Sequence, residues 1–269
     1  YGILSTLKTN LSDDLVLLAG LDARSYTGFH YREVKNLLGG DYFFDDSNIN
    51  NPANAAQVGD RISFDNDGKV GWLGLFGQLE YDVNENFNTF IALAGSNTSY
   101  QRIDYLGYSV KGGANYRFDT NHNVFANLGY FERAPVFRSV FLNFRNDNIN
   151  VDAENEKITS FELGYGYRGD KLSANVNLYR TVWNDRTEIL SFQQPDNTFA
   201  TANILGVDAI HQGLEIDFVY RATNNLKITG MASLGDWRWG NNIAGVDILD
   251  QDQNLVDTVD IFIKDLRVA

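Results

Sequence analysis

Residues 157–184 read KITSFELGYGYRGDKLSANVNLYRTVWN, and this stretch decides the fold class. A short polar turn with a glycine, residues 168–171, separates two runs of about a dozen residues each, as in a β-hairpin. On both sides apolar and polar residues alternate, and a period of two is typical of a β-strand with one apolar face. After the turn, the apolar series is Leu172, Ala174, Val176, Leu178 and Val182, and the polar series is Ser173, Asn175, Asn177, Tyr179 and Thr181.

The length of these runs is more informative than their alternation. Strands of soluble proteins usually have about five or six residues. A tilted strand that crosses a bilayer needs about 9–11 residues, with small polar side chains toward the lumen and apolar side chains toward lipid. The hairpin therefore indicates a transmembrane β-barrel.

The composition excludes several classes of protein. The chain has 269 residues, a formal net charge of −13 and no cysteine. The absence of cysteine rules out disulfides, thiolate metal sites and thiol nucleophiles. The acidic balance argues against nucleic acid as a partner, because phosphate contacts require a basic surface. Mean hydropathy is −0.29, and the roughly 18 consecutive apolar residues of a membrane helix do not occur.

Short and long connections alternate along the chain, and about ten or eleven strands are predicted between them. The short polar turns lie near residues 11–13, 83–86, 119–121, 168–171 and 222–225. The long loops lie near residues 28–68, 134–156, 185–210 and 239–254. All short turns therefore fall on one side of the sheet, as in outer-membrane barrels with short periplasmic turns and long outside loops. Residues 1–269 are predicted to be part of a single barrel domain.

Aromatic residues flank both kinds of connection, which predicts two interfacial belts. The residues next to short turns are Tyr81, Phe87, Tyr116, Phe118, Tyr167 and Tyr220. The residues next to long loops are Tyr26, Trp72, Tyr130, Phe131, Trp183, Trp237 and Trp239. Arg180 falls in the outward series of the hairpin, where a mid-membrane arginine costs about 2–4 kcal/mol. It either reaches the polar rim or marks a bulge that shifts the register.

Three segments, in this order, resemble the barrel of the TonB-dependent outer-membrane receptors. Residues 123–135 are similar to the family's strand that ends in an aromatic-Arg-Ala-Pro phrase. Residues 150–157, followed by 160–165, are similar to its Glu-Lys and Glu-Leu-Gly segment. Residues 213–216 and the turn at 222–226 resemble its Gly-Leu-Glu strand and the hairpin after it.

Some features narrow or weaken this resemblance. Residues 30–33 and 37–40 are similar to Bacteroidetes-type members of the family. Ala153 stands where the family usually has a proline. The resemblance covers about residues 120–235, whereas the first hundred residues match the family only in their rhythm of strands and turns.

The resemblance implies an all-β, antiparallel transmembrane barrel of about 22 strands, of which this chain supplies a part. The plug domain, the TonB-contacting segment and the closing strand are expected to lie outside the chain. The implied function is TonB-dependent uptake of a scarce nutrient (a siderophore, vitamin, glycan or peptide) across the bacterial outer membrane. The implied partners are outer-membrane lipid and lipopolysaccharide, the TonB complex acting through the plug, and a surface lipoprotein.

Two other classes share parts of the pattern. A passive pore, or an adhesin or scaffold barrel without a plug, has the same strands and loops. A soluble β-rich binding protein would bury the apolar face of its strands against a second sheet.

The sequence contains no nucleophile elbow, phosphate loop or metalloprotease motif, so neither enzymatic activity nor a cofactor is expected. Residues 65–68 could begin a calcium loop, but ordinary turn chemistry also explains them, and no metal site is predicted. Substrate contacts are expected from aromatic and polar residues of the long loops. The candidates are Phe141, Phe144, Arg145, Trp237 and Trp239, with packing inside a loop or an interfacial belt as the alternative.

Overall fold

A computed structural model describes residues 1–45, 54–142, 148–194, 199–250 and 254–268. Its strands are β1 (Gly2–Asn10), β2 (Leu15–Glu33), β3 (Phe43–Asp45), β4 (Asn54–Ala56), β5 (Arg61–Asn84), β6 (Phe87–Tyr100), β7 (Ile103–Arg117), β8 (His122–Arg133), β9 (Glu156–Arg168), β10 (Leu172–Gln193), β11 (Phe199–Thr223), β12 (Leu226–Trp239), β13 (Ile243–Asp250) and β14 (Leu255–Ile261). A single turn of helix, α1, spans Phe137–Val140. No helix of the described residues is long and apolar enough to cross a membrane.

The strands confirm an antiparallel all-β wall. Within the described residues, β1, β2 and β5 to β11 pair in chain order, and the upper part of β11 continues into β13 and β14. β12 pairs with the lower part of β11, and β3 pairs with β4 in a separate hairpin. The main sheet thus has 12 strands, more than the ten or eleven predicted. The addition is β13, which lies within the predicted loop 239–254 and buries Val246 against Ala202, Ile204 and Val207.

The cross-strand register gives the sheet one apolar and one polar face, because register partners lie on the same face. Leu163, Leu178, Leu214 and Leu234 are successive partners on β9 to β12, and we call them the leucine row. Leu163 is 43% exposed, Leu178 47% and Leu234 73%. A soluble sheet does not leave such a contiguous face to water, whereas a barrel covers it with lipid.

Several strands extend beyond the predicted boundaries. β10 continues to Gln193 and β11 begins at Phe199, so most of the predicted loop 185–210 is a paired hairpin. β2 likewise runs to Glu33 and β5 begins at Arg61, inside the predicted loop 28–68. The polarity of these extensions resembles that of a loop, because strands outside the membrane have no apolar face to maintain. A pattern of apolar and polar residues therefore does not predict the backbone pairing of these extensions.

The aromatic belt next to the short turns is confirmed. All six of its residues share the apolar face, and Tyr116 and Phe118 meet edge to face at 5.2 Å between ring centroids. The turn beside them is closed by Asp119, whose carboxylate accepts bonds from the backbone N–H groups of Asn121 (2.8 Å) and His122 (2.9 Å). The Asn121 N–H group is the main cause that holds the pKa of Asp119 below its ordinary value.

The second belt, next to the long loops, was wrongly predicted. Tyr130 alone lies on the apolar face, while the register places the other six residues on the polar face. These residues are Tyr26, Trp72, Phe131, Trp183, Trp237 and Trp239. Proximity to a loop sets how far along the strand a residue lies. The face to which its side chain points depends on whether its position is odd or even, because successive side chains point to opposite faces. The aromatic groups at this end therefore line the inside of the wall.

Glycines on the polar face make room for aromatic rings from neighbouring strands. Gly164 on β9 is the register partner of Phe125 on β8, and the Phe125 ring lies where a Cβ atom of residue 164 would be. The ring covers the glycine backbone, as in the aromatic rescue of strand glycines. Gly95 on β6 lies on the apolar face as the register partner of Leu75 and Tyr108, and no atom lies within 4 Å of the position of its Cβ atom.

Replacement of Gly164 by alanine is therefore expected to destabilise the sheet by about 1–3 kcal/mol, because the Phe125 ring must leave its position. Gly95→Ala, at a strand glycine with open space around its Cβ position, is the control. We expect it to be neutral or stabilising by up to about 1 kcal/mol, since alanine is less flexible in a strand. Urea unfolding of the full-length protein from lipid vesicles measures both changes. Equal stability of the two variants would show that the ring accommodates the methyl group.

Candidate functional site

The polar face carries a group of aromatic and cationic side chains at the end of β8 to β12 nearest the long loops. Three indoles belong to it, and Arg186 lies between two of them. The Cζ atom of Arg186 is 5.4 Å from the ring centroid of Trp183 and 5.5 Å from that of Trp239. Arg133 on β8 approaches Trp183 at 5.0 Å. These are cation–π distances. We call Trp183, Trp237, Trp239, Arg133, Arg186, Tyr179 and His211 the tryptophan cluster.

A β-bulge in β10 directs Arg186 into this cluster. The register of β10 against β11 shifts between Trp183 and Arg186 and again between Arg186 and Glu188. Asp185, inside the bulge, has a positive φ of 57°, a conformation that is uncommon for residues other than glycine. Bulges re-aim side chains, and here the residue beyond the bulge reaches both Trp183 and Trp239.

Each cation of the cluster has a carboxylate partner. The Arg186 Nη2 atom donates to Glu188 Oε1 at 2.7 Å, and Arg133 forms an ion pair with Glu156. The Glu156 side chain is 2% exposed, whereas Arg133 is 53% exposed. Because both guanidinium groups are compensated, the cluster presents ring faces and hydrogen-bonding groups without a net charge.

Trp237 extends the cluster across three strands. Its indole Nε1 donates to the Tyr179 hydroxyl at 3.0 Å, and its ring stacks on His211 at 5.9 Å with an interplanar angle of 27°. Gly213 lies on β11, between the strands of Tyr179 and Trp237, and a Cβ atom there would meet the Tyr179 hydroxyl at 2.8 Å. Trp237 nevertheless remains 45% exposed. Trp237 is therefore held by Tyr179 and His211 and still has indole surface available for contact.

His211 supplies a polar atom inside this aromatic surface. Its Nε2 atom is buried and has no hydrogen-bond partner within the described residues. A buried polar atom without a partner is costly, so this nitrogen is suited to bind water or a polar group of a bound molecule.

The structure separates the five candidate contact residues. Trp237 and Trp239 belong to the tryptophan cluster. Phe141 is 3% exposed and packs inside a loop, which was the alternative considered for it. Phe144 and Arg145 lie outside the described residues.

Phe141 belongs to a small core formed where the connection between β8 and β9 folds onto the polar face. This core contains Tyr100, Tyr105, Val140, Phe141 and Ala153. The Tyr100 hydroxyl donates to the Pro135 carbonyl at 2.9 Å, and Asn203 of β11 donates to the Ser139 carbonyl at 2.8 Å. The connection thus spans the inner side of the wall from β6 to β11 beside the tryptophan cluster.

Sequence reasoning missed Trp183, Arg186, Tyr179 and His211 as members of one site. Part of this site could have been found from the alternation along β10. Tyr179 and Trp183 continue the polar series of Asn175 and Asn177 and therefore share their face. The bulge at Asp185 had no sequence signature, whereas the turn at 222–225 did predict the pairing of β11 with β12. His211 and Trp237 meet only through that pairing.

The structure offers no cluster of metal ligands in the described part of the chain. Asp65 and Asp67 lie within β5, and Asp65 forms an ion pair with Arg61 at 2.5 Å. Residues 65–68 are therefore strand and not a calcium loop. Asp247, an acidic residue of β13, accepts a hydrogen bond from the Thr258 hydroxyl at 2.8 Å.

An antiparallel sheet with one apolar face, one polar face and its short turns at one end defines the wall of an outer-membrane barrel. The sequence profile of the family described as "TonB dependent receptor-like, beta-barrel" matches residues 1–265, so the chain belongs to this family. It is accordingly part of a barrel in the bacterial outer membrane, with the polar face toward the lumen and the apolar face toward lipid.

Solved structures of similar fold include receptors and transporters. The copper transporter OprC is 19% identical with a TM-score of 0.68, over 92% of this chain and 40% of that one. The FrpB iron transporter from Neisseria meningitidis is 13% identical with a TM-score of 0.58, over 94% of this chain and 36% of that one. The ferripyoverdine receptor of the outer membrane of Pseudomonas aeruginosa is 16% identical with a TM-score of 0.57, over 95% of this chain and 33% of that one.

These identities establish the shared fold alone, and the chain spans two fifths or less of the length of these structures. None of the curated protein sequences compared with the chain matches it.

Proposed function

We propose that the chain is the barrel part of a receptor that takes up a scarce nutrient across the outer membrane. The observation that carries this proposal is the tryptophan cluster, which lies on the lumenal face at the end of the wall where the long loops emerge. A molecule that arrives from outside meets this surface before it reaches the interior of the barrel. The rings of Trp237 and Trp239 are the contacts we assign to the substrate.

The chemistry of the cluster supports an organic substrate or an organic chelate. Indole faces bind flat or apolar parts of a molecule, and the Nε2 atom of His211 can bind a polar group. The neutral charge balance of Arg133 and Arg186 with Glu156 and Glu188 disfavours a site that depends on net charge. A siderophore, vitamin, glycan or peptide is compatible with this surface.

Energy for uptake would come from the TonB complex acting through a plug inside the barrel, as the family name implies. Outer-membrane lipid and lipopolysaccharide are the surroundings of the wall, and a surface lipoprotein is a further proposed partner. We also propose that the chain itself catalyses no reaction.

The test compares uptake by a deletion strain, which lacks the protein, with uptake by the same strain after the full-length protein or a variant is expressed in it. Ferric siderophores, cobalamin, oligosaccharides and peptides are supplied in turn as the limiting nutrient. We expect Trp237→Ala and Trp239→Ala each to weaken binding of the transported compound by about 2 kcal/mol, roughly 30-fold. Trp72→Ala is the matched control, because Trp72 is on the same face but distant along the sheet, and it should retain uptake.

Two outcomes separate the site from the function. If the deletion strain takes up every compound normally, the proposed uptake is wrong. If uptake is lost in the deletion strain but unchanged in Trp237→Ala and Trp239→Ala, the assignment of the site is wrong. A passive pore would conduct steadily in a planar bilayer, whereas a plugged receptor would not.

A further inference from the structure

On the outward face, the apolar surface of β10 to β12 ends in a chain of polar side chains. Arg180, Gln212 and Asp236 are register partners on these three strands. Arg180 Nη1 donates to Gln212 Oε1 at 2.6 Å, and Gln212 Nε2 donates to Asp236 Oδ2 at 3.4 Å. The register of β10 is unbroken up to Trp183, so Arg180 faces outward and a bulge does not explain it.

Two more arginines join this chain. Arg238 lies two residues beyond Asp236, and its Nε atom donates to Asp236 Oδ1 at 2.7 Å. Arg267 forms an antiparallel bridge with Arg238, which places both residues on the same face. We call Arg180, Arg238 and Arg267 the arginine row, and all three residues are exposed.

The arginine row keeps an excess of positive charge. Asp236 is the one carboxylate that the hydrogen bonds and ion pairs of the described residues place among these three cations. The row stands out in a chain whose net charge is −13. It is therefore locally cationic on a protein that is otherwise acidic.

The leucine row lies directly beside the arginine row. Arg180, Gln212 and Asp236 are each two residues from a member of the leucine row, namely Leu178, Leu214 and Leu234. Two residues along a strand correspond to about 7 Å. The arginines thus lie where the apolar band of the barrel ends, at the height of lipid headgroups rather than in the hydrocarbon.

We propose that the arginine row binds the phosphate of an outer-leaflet lipid whose acyl chains lie along the leucine row. Guanidinium groups bind phosphate oxygens through paired, charge-assisted hydrogen bonds. Gln212 holds Arg180, and Asp236 holds Arg238, so the cations are oriented before the lipid arrives. A lipid fits better than a free anion because it also covers Leu178 and Leu234, which are 47% and 73% exposed.

Lipid binding here depends on the location of the barrel in the outer membrane and not on what the receptor transports. The test uses the purified full-length protein, delipidated in detergent, with native mass spectrometry as the readout. Three probes are compared: bisphosphorylated lipid A, the same lipid after dephosphorylation, and inorganic phosphate. We expect the phosphorylated lipid to bind at least ten-fold more tightly than the dephosphorylated lipid.

The variant Arg180→Gln/Arg238→Gln/Arg267→Gln is expected to lose this ten-fold preference. The matched control is Arg117→Gln/Arg168→Gln/Arg221→Gln, which removes three arginines at the short-turn end and should bind like the wild type. If the glutamine variant fails to fold, Arg180→Lys/Arg238→Lys/Arg267→Lys keeps the charge without the bidentate geometry and should bind with intermediate affinity.

Three results would overturn the proposal. The first is equal binding of the phosphorylated and dephosphorylated lipids, and the second is wild-type binding by the glutamine and lysine variants. The third is tight binding of inorganic phosphate alone, which would assign the row to a soluble anion.

Discussion

Val176→Arg is expected to lower the free energy of unfolding from a bilayer by about 2–4 kcal/mol, the cost of an arginine at mid-membrane on a barrel's outer face. Val176 is the register partner of Tyr165 and Ile216 on the apolar face. It lies halfway along β10 between the short turn at Leu172 and the polar boundary at Arg180. The measurement is equilibrium unfolding of the full-length protein from phospholipid vesicles.

Asn175→Arg is the matched control, since Asn175 is the adjacent residue and faces the lumen. Its side chain donates to Asp217 at 3.0 Å, so an arginine there gains a carboxylate neighbour, and we expect a change below about 1 kcal/mol. A larger loss for Asn175→Arg than for Val176→Arg would mean that the two faces are assigned the wrong way round.

Arg133→Met is expected to destabilise the wall by about 2–3 kcal/mol, because it leaves the buried carboxylate of Glu156 without its charged partner. The Glu156 side chain is 2% exposed, so water cannot replace the arginine. Since Arg133 itself is 53% exposed, we expect less than the full cost of breaking a completely buried pair. Removal of Arg133 also releases one side of the Trp183 ring.

A double-mutant cycle tests this explanation. Glu156→Gln removes the charge and keeps the shape, so Arg133→Met/Glu156→Gln should be more stable than the sum of the two single changes by at least about 1 kcal/mol. Additive effects would show that Arg133 acts through Trp183 alone. The urea midpoint of the full-length protein in vesicles gives all four values.

The membrane-spanning part of the fold could be predicted because apolar and polar side chains must alternate along a strand that separates lipid from the lumen. The alternation in Leu172–Val182 and the glycine turn before it correctly predicted β9, β10 and their outward face. The extension of β10 to Gln193 could not be predicted in this way, because outside the membrane neither face must be apolar. The extra strand β13 was hidden for the same reason and is fixed by pairing with β14.

Only part of the candidate site could be predicted from the sequence. Trp237 and Trp239, chosen by residue type, lie in the tryptophan cluster. Their face was misjudged, because their height along the strand was considered without asking which face their position gives them. Phe141 has the same composition signal, yet it packs against Tyr100 and Tyr105. Arg186 required the bulge at Asp185, and bulges depend on how two strands share hydrogen bonds rather than on residue type.

The long hairpin of β10 and β11 has a consequence for how the cell is recognised from outside. From Arg180, at the membrane boundary, β10 continues to Gln193, thirteen positions that correspond to roughly 40 Å of paired strand. Pairing with β11 fixes the backbone of this extension, and near its end Leu190 is 54% exposed and Phe192 43%. We therefore expect antibodies raised against intact cells to bind the paired strands of this hairpin, which present a defined backbone outside the membrane.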